Sequence, residues 1–140
     1  MNLKEKIADL RKIKKEQIFL GVGSDEAIDI LIRIFCNPRD DNILITPPTY
    51  GMYKVCAKIN DVPVKSSPLT PTFDVDIASV LANIDPSTRI IFLCSPGNPT
   101  SKVIPNADIE AIASQYKTGT THSYTNTVFA FMDHWLWQVW

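Results

Sequence analysis

Arg89-Ile90-Ile91-Phe92-Leu93-Cys94, followed without a spacer by Ser95-Pro96-Gly97-Asn98-Pro99-Thr100, is the stretch that decides the fold. The run is apolar without alternation and stops in a cluster of turn formers, the pattern of a strand buried on both faces of a sheet. Sheets of such strands are mainly parallel and carry helices on both sides. Asn42-Ile43-Leu44-Ile45-Thr46, halted by Pro47-Pro48, repeats the pattern, and Val62-Pro63-Val64-Lys65 and Ile18-Phe19-Leu20 read as shorter strands.

Helical periods fill the intervals. Leu3, Ile7, Leu10 and Ile13 recur at helical spacing among charged residues, predicting an amphipathic helix to near Lys15. Ile28, Leu31, Ile32 and Phe35 predict a second, stopped by Asn37-Pro38. Tyr50 to Asn60 predicts a third, and Asp76 caps a fourth through Ile77, Val80, Leu81 and Ile84. A fifth follows Pro105 through Asp108, Ile109, Ile112 and Ala113. The expected fold is α/β, a partial and mainly parallel sheet with helices on both faces.

Composition narrows the function. At 140 residues and 45% apolar, the chain is long enough for one cored domain and too short for two of ordinary size. A net charge of −1 gives no electrostatic reason to expect nucleic acid or an anionic membrane as partner. Cys36, Cys56 and Cys94 are odd in number, widely spaced and set in apolar runs, which predicts buried thiols, no metal site and a reducing compartment. Met1-Asn2-Leu3-Lys4-Glu5-Lys6 lacks the apolar core of a secretory signal, and no apolar stretch reaches membrane-spanning length, so a cytoplasmic location is expected.

From Lys117 the composition shifts. Five threonines lie between 118 and 127, and His122, His134, Trp135, Trp137 and Trp140 all fall here. The expected division is a folded unit over 1–116 and an atypical tail over 117–140 outside it, as a shifted reading frame or unspliced intron would produce. A C-terminal docking segment is the alternative.

Three loops carry the chemistry. Gly21-Val22-Gly23-Ser24-Asp25-Glu26 precedes a helix; its glycines permit a tight turn, Ser24 is a good N-cap, and a helix start directs free N–H groups and positive dipole at one spot. Phosphates are commonly held that way. Pro47-Pro48-Thr49-Tyr50 and Ser95 to Thr100 each follow a strand, and ligands of open α/β sheets gather at the carboxyl ends of strands.

Together, Gly21 to Asp29, Pro47-Pro48-Thr49-Tyr50-Gly51-Met52-Tyr53 and Cys94 to Thr100 resemble pyridoxal-phosphate aminotransferases of fold type I, most closely the histidinol-phosphate aminotransferases. The likeness runs from about Phe19 to Pro105, the front of the family's large domain. It implies that Ser24, Asp25 and Glu26 contact the phosphate of pyridoxal 5'-phosphate, chiefly through backbone N–H and the Ser24 hydroxyl, with the carboxylates pointing away. It implies that Tyr50 stacks on the pyridine ring and Asn98 hydrogen-bonds the phenolic oxygen, its bond to Pro99 able to be cis. Amino transfer between glutamate and imidazole-acetol phosphate in histidine biosynthesis, small-molecule substrates and a homodimer are implied for the full-length enzyme.

Two departures stand out. Ser101 replaces the usual glycine after the threonine, which predicts a reshaped turn. Neither the Schiff-base lysine nor the acid that partners the pyridinium nitrogen is matched, so the resemblance assigns no catalytic residue; a fragment that neither turns over nor folds stably is the expectation. Lys102, near Asn98, is the first lysine to mutate should turnover be found. A non-catalytic phosphate- or nucleotide-binding module would account for Ser24 and the glycines but not for Tyr50 and Asn98. A product of faulty gene modelling is the third alternative.

Overall fold

The computed structural model describes residues 2–117, 128–133 and 136–139. Its sheet has the order β2-β1-β3-β4-β5, formed by β1 (Asn42–Ile45), β2 (Val64–Ser66), β3 (Thr88–Cys94), β4 (Val128–Asp133) and β5 (Leu136–Val139). The first four strands run parallel, with Ile43 beside Val64 and Ile90, and Ile90 beside Val128; β5 turns back antiparallel, Met132 facing Trp137.

The unbroken apolar runs are explained by what lies above and below them. On one face Ile43, Ile45, Ile90, Phe92 and Cys94 pack against Ile28 and Ile32 of α2 (Gly23–Phe35) and Tyr53, Cys56 and Ala57 of α3 (Met52–Ile59). On the other face Leu44, Ile91 and Leu93 meet Val80 of α4 (Ile77–Ala82) and Ile112 of α5 (Asn106–Lys117). Alternate residues of each strand thus serve opposite layers, as expected of a doubly covered sheet. All three cysteines are buried, and burial above all pushes the Cys36 thiol up to about 12.

The N-terminal segment departs from expectation. Ile18-Phe19-Leu20, which starts extended at Ile18 after a 3-10 turn at Lys15–Gln17, forms no strand and pairs with none of the described strands. Ile18 is buried while Phe19 and Leu20 are exposed. The first helix, α1 (Leu3–Arg11), ends earlier than its apolar period suggests because Lys12 adopts the left-handed conformation at the C-cap.

The expected boundary at 116 falls one residue before the end of α5. Beyond it the backbone of β4 and β5 extends the sheet, in a stretch where no strand period is evident. Val128-Phe129-Ala130-Phe131-Met132 is a continuous apolar run of the same kind as Ile43 to Ile45 and Ile90 to Leu93, but the threonine-rich stretch before it and the tryptophan-rich stretch after it obscured the pattern. His122, His134, Trp135 and Trp140 lie outside the described residues.

A polar cluster ties the amino ends of β1 and β3 together. The Asn42 amide donates to Ser87 Oγ at 2.7 Å and Asp85 Oδ1 at 3.2 Å, and Thr88 Oγ1 donates to Asn42 Oδ1 at 2.8 Å. Asp85 also pairs with Lys65. Burial alone would raise the Asp85 carboxyl, but the bonds from Lys65, Ser87 and Asn42 outweigh it and hold the group well below the ordinary carboxylate range. A carboxyl depressed in the folded state stabilises the fold above its unfolded pKa of about 3.9 and loses that contribution as pH falls through its folded value. Asp85→Asn is therefore expected to lower the melting temperature at pH 7 and to differ less and less from the unsubstituted chain below about pH 4. A gap that stays constant down to pH 2, followed by circular dichroism, would refute this.

Candidate functional site

The helix starts two residues earlier than the sequence suggests. Val22, not Ser24, is the N-cap of α2, and Gly23 opens the helix with a φ of +81°, a value few residues other than glycine adopt without cost. Ser24 consequently sits inside the first turn. The N–H groups of Gly23, Ser24 and Asp25 have no helical carbonyl four residues behind them, so they remain donors for a ligand.

The two carboxylates of this turn behave differently. Glu26 Oε2 reaches back to accept from the Val22 N–H at 2.5 Å. It occupies the space beside Gly21, where an added Cβ would lie 2.6 Å from Glu26 Oε2 and 2.6 Å from the Phe19 ring. Asp25 turns toward the loop after β1, where its Oδ1 accepts from the Tyr50 hydroxyl at 2.9 Å; the Ser24 hydroxyl lies 3.5 Å from the same oxygen.

Tyr50 is half-buried at the foot of α3. Its ring meets Tyr53 edge-on, centroids 5.8 Å apart, and Tyr53 lies flat on Phe92 of β3 at 4.5 Å. The Tyr53 hydroxyl is buried without a hydrogen-bond partner; burial first, then the neighbouring Cys94 thiol, raises its pKa strongly. The Thr49 hydroxyl is likewise buried and unpartnered.

The loop after β3 is tightly built. Gly97 donates to the Lys102 carbonyl and its own carbonyl accepts from Ser101, both at 2.7 Å, while the Ser95 hydroxyl accepts from the Ile104 N–H at 3.0 Å. A Cβ on Gly97 would come within 2.1 Å of Thr100 Oγ1, so a larger residue there requires the Thr100 side chain to move. Ser101 takes a φ of 56°, the left-handed conformation in which glycine is at ease. The Asn98-Pro99 bond is cis, and Asn98 stands exposed with no hydrogen-bond partner among the described residues. Lys102 is not free: its ammonium lies 2.9 Å from Asp74 and 3.4 Å from the Thr72 carbonyl.

Two of the three loops therefore stand side by side at the carboxyl end of the sheet. Ile45 pairs with Phe92, and Thr46, Pro48 and Thr49 share the wall of a cavity of about 10 Å³ with Cys94, Gly97 and Thr100. The third loop follows no strand and is joined to them through Asp25 and Tyr50. Among the described residues no hydrogen bond links Asn98 to Ser24, Glu26 or Tyr50. By register, Asp133 follows Met132, the partner of Cys94, so it stands at the same sheet end; the signal was an acid directly after an apolar run. Among the described residues no group of His, Cys, Asp and Glu could hold a metal ion.

Free helix-start donors, an unpartnered exposed amide at Asn98 and an anchored aromatic ring suit a flat, phosphorylated, oxygen-bearing ligand. Comparison with known proteins gives such a ligand a context. The family of class I and II aminotransferases matches residues 1–130. The histidinol-phosphate aminotransferase of Cytophaga hutchinsonii is 47% identical over 115 residues, covering 82% of this chain and 33% of that protein. That of Bacteroides thetaiotaomicron is 43% identical over the same shares. Among solved structures, the histidinol-phosphate aminotransferase of Clostridium acetobutylicum superposes with a TM-score of 0.75 at 25% identity, over 92% of this chain and 35% of that one. Thermus thermophilus aspartate aminotransferase with maleate, at 21% identity over 92% of this chain and 41% of that one, shares the fold with a TM-score of 0.78. The chain spans about a third of the length of the curated relatives it matches.

Proposed function

The chain belongs to the class I and II aminotransferase family, and from that premise we propose that it is the cofactor-cradling front part of a histidinol-phosphate aminotransferase, holding pyridoxal 5'-phosphate. The observation that carries this is the junction of Asp25 with Tyr50, which brings the phosphate-type helix start to the aromatic loop after β1. In this reading the N–H groups of Gly23, Ser24 and Asp25 and the Ser24 hydroxyl bind the phosphate. Tyr50 packs on the ring, and the Asn98 amide donates to the phenolic oxygen. Asp133 ends the next parallel strand at the same end of the sheet, and we propose it as the acid that partners the ring nitrogen, in place of the expectation that the chain lacks one. When bound, the cofactor supplies an electron sink for chemistry at an amino acid's α-carbon. Lys102 is ion-paired to Asp74 and is assigned no role toward it.

For the whole protein we propose amino transfer between glutamate and imidazole-acetol phosphate, action as a homodimer, and a cytoplasmic location. No helix among the described residues is long and apolar enough to cross a membrane. A folded unit over 1–116 remains the proposed core of the cofactor domain.

The test is retention of pyridoxal 5'-phosphate by the purified chain, read by absorbance after dialysis. Tyr50→Ala is expected to weaken retention by about 1 kcal/mol or more, the worth of a stacked aromatic. Equal retention by the two proteins would remove Tyr50 from the site. A non-catalytic nucleotide-binding module predicts instead that ATP competes for the chain while Tyr50→Ala changes nothing.

A further inference from the structure

Resting on that reading of the site, we infer that Asp25 is a positioning residue for the ring of Tyr50, and that its carboxylate serves the cofactor's ring rather than its phosphate. Tyr50 is fixed at two points belonging to different elements. Its ring makes a T-shaped contact with Tyr53, which lies fully buried and flat against Phe92, so the inner contact is part of the core. Its hydroxyl donates to Asp25 Oδ1 at 2.9 Å, so the outer tip is held by the first turn of α2. Two anchors fix the tilt of a ring that one anchor would leave free to rock.

The bond also affects the ring's electronics. A phenol donating to a carboxylate gains electron density on its face, and an electron-poor pyridine ring is the kind of partner such a face attracts. In keeping with this, the bond to Asp25, and after it burial, raises the Tyr50 pKa. The arrangement separates the two acids of the turn. Glu26 caps the Val22 N–H, whereas Asp25 spans to another loop.

The experiment measures affinity for pyridoxal 5'-phosphate in the 140-residue chain and in Asp25→Ala, Asp25→Asn, Tyr50→Phe and Asp25→Ala/Tyr50→Phe. Asp25→Ala is expected to weaken binding about five- to tenfold, the scale of a charge-assisted hydrogen bond. Asp25→Asn, which keeps an acceptor oxygen, should recover most of the loss, and the double variant should bind no more weakly than Tyr50→Phe. If Asp25→Ala weakens the Tyr50→Phe protein by the same factor as the unsubstituted one, Asp25 acts directly on the ligand and the inference is overturned. Without ligand, alkaline titration of tyrosine absorbance should show one tyrosine ionising at lower pH in Asp25→Ala than in the unsubstituted chain; superimposable titrations would also overturn it. Absence of binding by every protein, the unsubstituted chain included, would overturn the cofactor site and the role toward it, while the titration still reports whether the pair exists.

Discussion

Phe92→Ala is expected to cost about 3 to 5 kcal/mol of folding stability, the range for emptying the site of a large buried aromatic. Phe92 is completely buried at the middle of the sheet, in register with Ile45 on one side and Ala130 on the other. Tyr53 lies flat on it at 4.5 Å with rings only 14° from parallel. Truncation leaves a void that neither neighbour can fill, because both sheet and α3 are held by their own hydrogen bonds. Urea denaturation should show a lower midpoint with an unchanged slope, and Phe92→Leu, which restores most of the volume, should recover the greater part. A loss under about 1 kcal/mol would mean that this layer of the core is not close-packed.

Arg89→Met is the second large effect, expected at about 3 kcal/mol, the lower end for breaking a buried ion pair because the arginine is partly exposed. Asp41 has a side chain only 4% exposed, and its Oδ1 accepts from Arg89 Nε at 2.7 Å while Oδ2 accepts from the Asn37 N–H at 2.7 Å. Removing the guanidinium leaves a carboxylate in the interior with one neutral donor. The cost arises from that stranded charge rather than from the worth of the pair, so Asp41→Asn/Arg89→Met should be more stable than Arg89→Met alone. Equal stability of the single and double variants, by the same urea assay, would contradict this account.

Residues whose surroundings are dictated by the chain nearby were readable from sequence. Ile43 to Ile45 and Ile90 to Cys94 could only be strands with cover on both faces, and Asp76 caps α4 by accepting from the Ser79 N–H, as its position implied. Ile18-Phe19-Leu20 has the same local composition but no described neighbour to pair with, and propensity without a partner makes no strand. The start of α2 was misjudged by a short step, since Gly23 accepts a backbone angle that brings the helix forward and leaves Ser24 within it. The site was legible as residue types in loops. The division of labour between Asp25 and Glu26 was not, because the Asp25 partner lies 25 residues away and only packing of α2 on α3 brings it near. β4 went unread because the threonine- and tryptophan-rich composition around it hides a strand that the register with β3 reveals.

The position of β1 has a kinetic consequence. This four-residue strand is hydrogen-bonded on both sides, to β2 and to β3, and both pairings are parallel. No tight turn can make either one, so each waits for a helix to form and the chain to double back. α2 and α3 can assemble within microseconds from neighbouring residues. The pairing of Ile43 to Ile45 with Ile90 to Phe92 must first overcome the loop-closure entropy of all the chain between them. The refolding rate is therefore governed by the meeting of these two strands, and until they meet β1 exposes a bare hydrogen-bonding edge through which one chain can capture another.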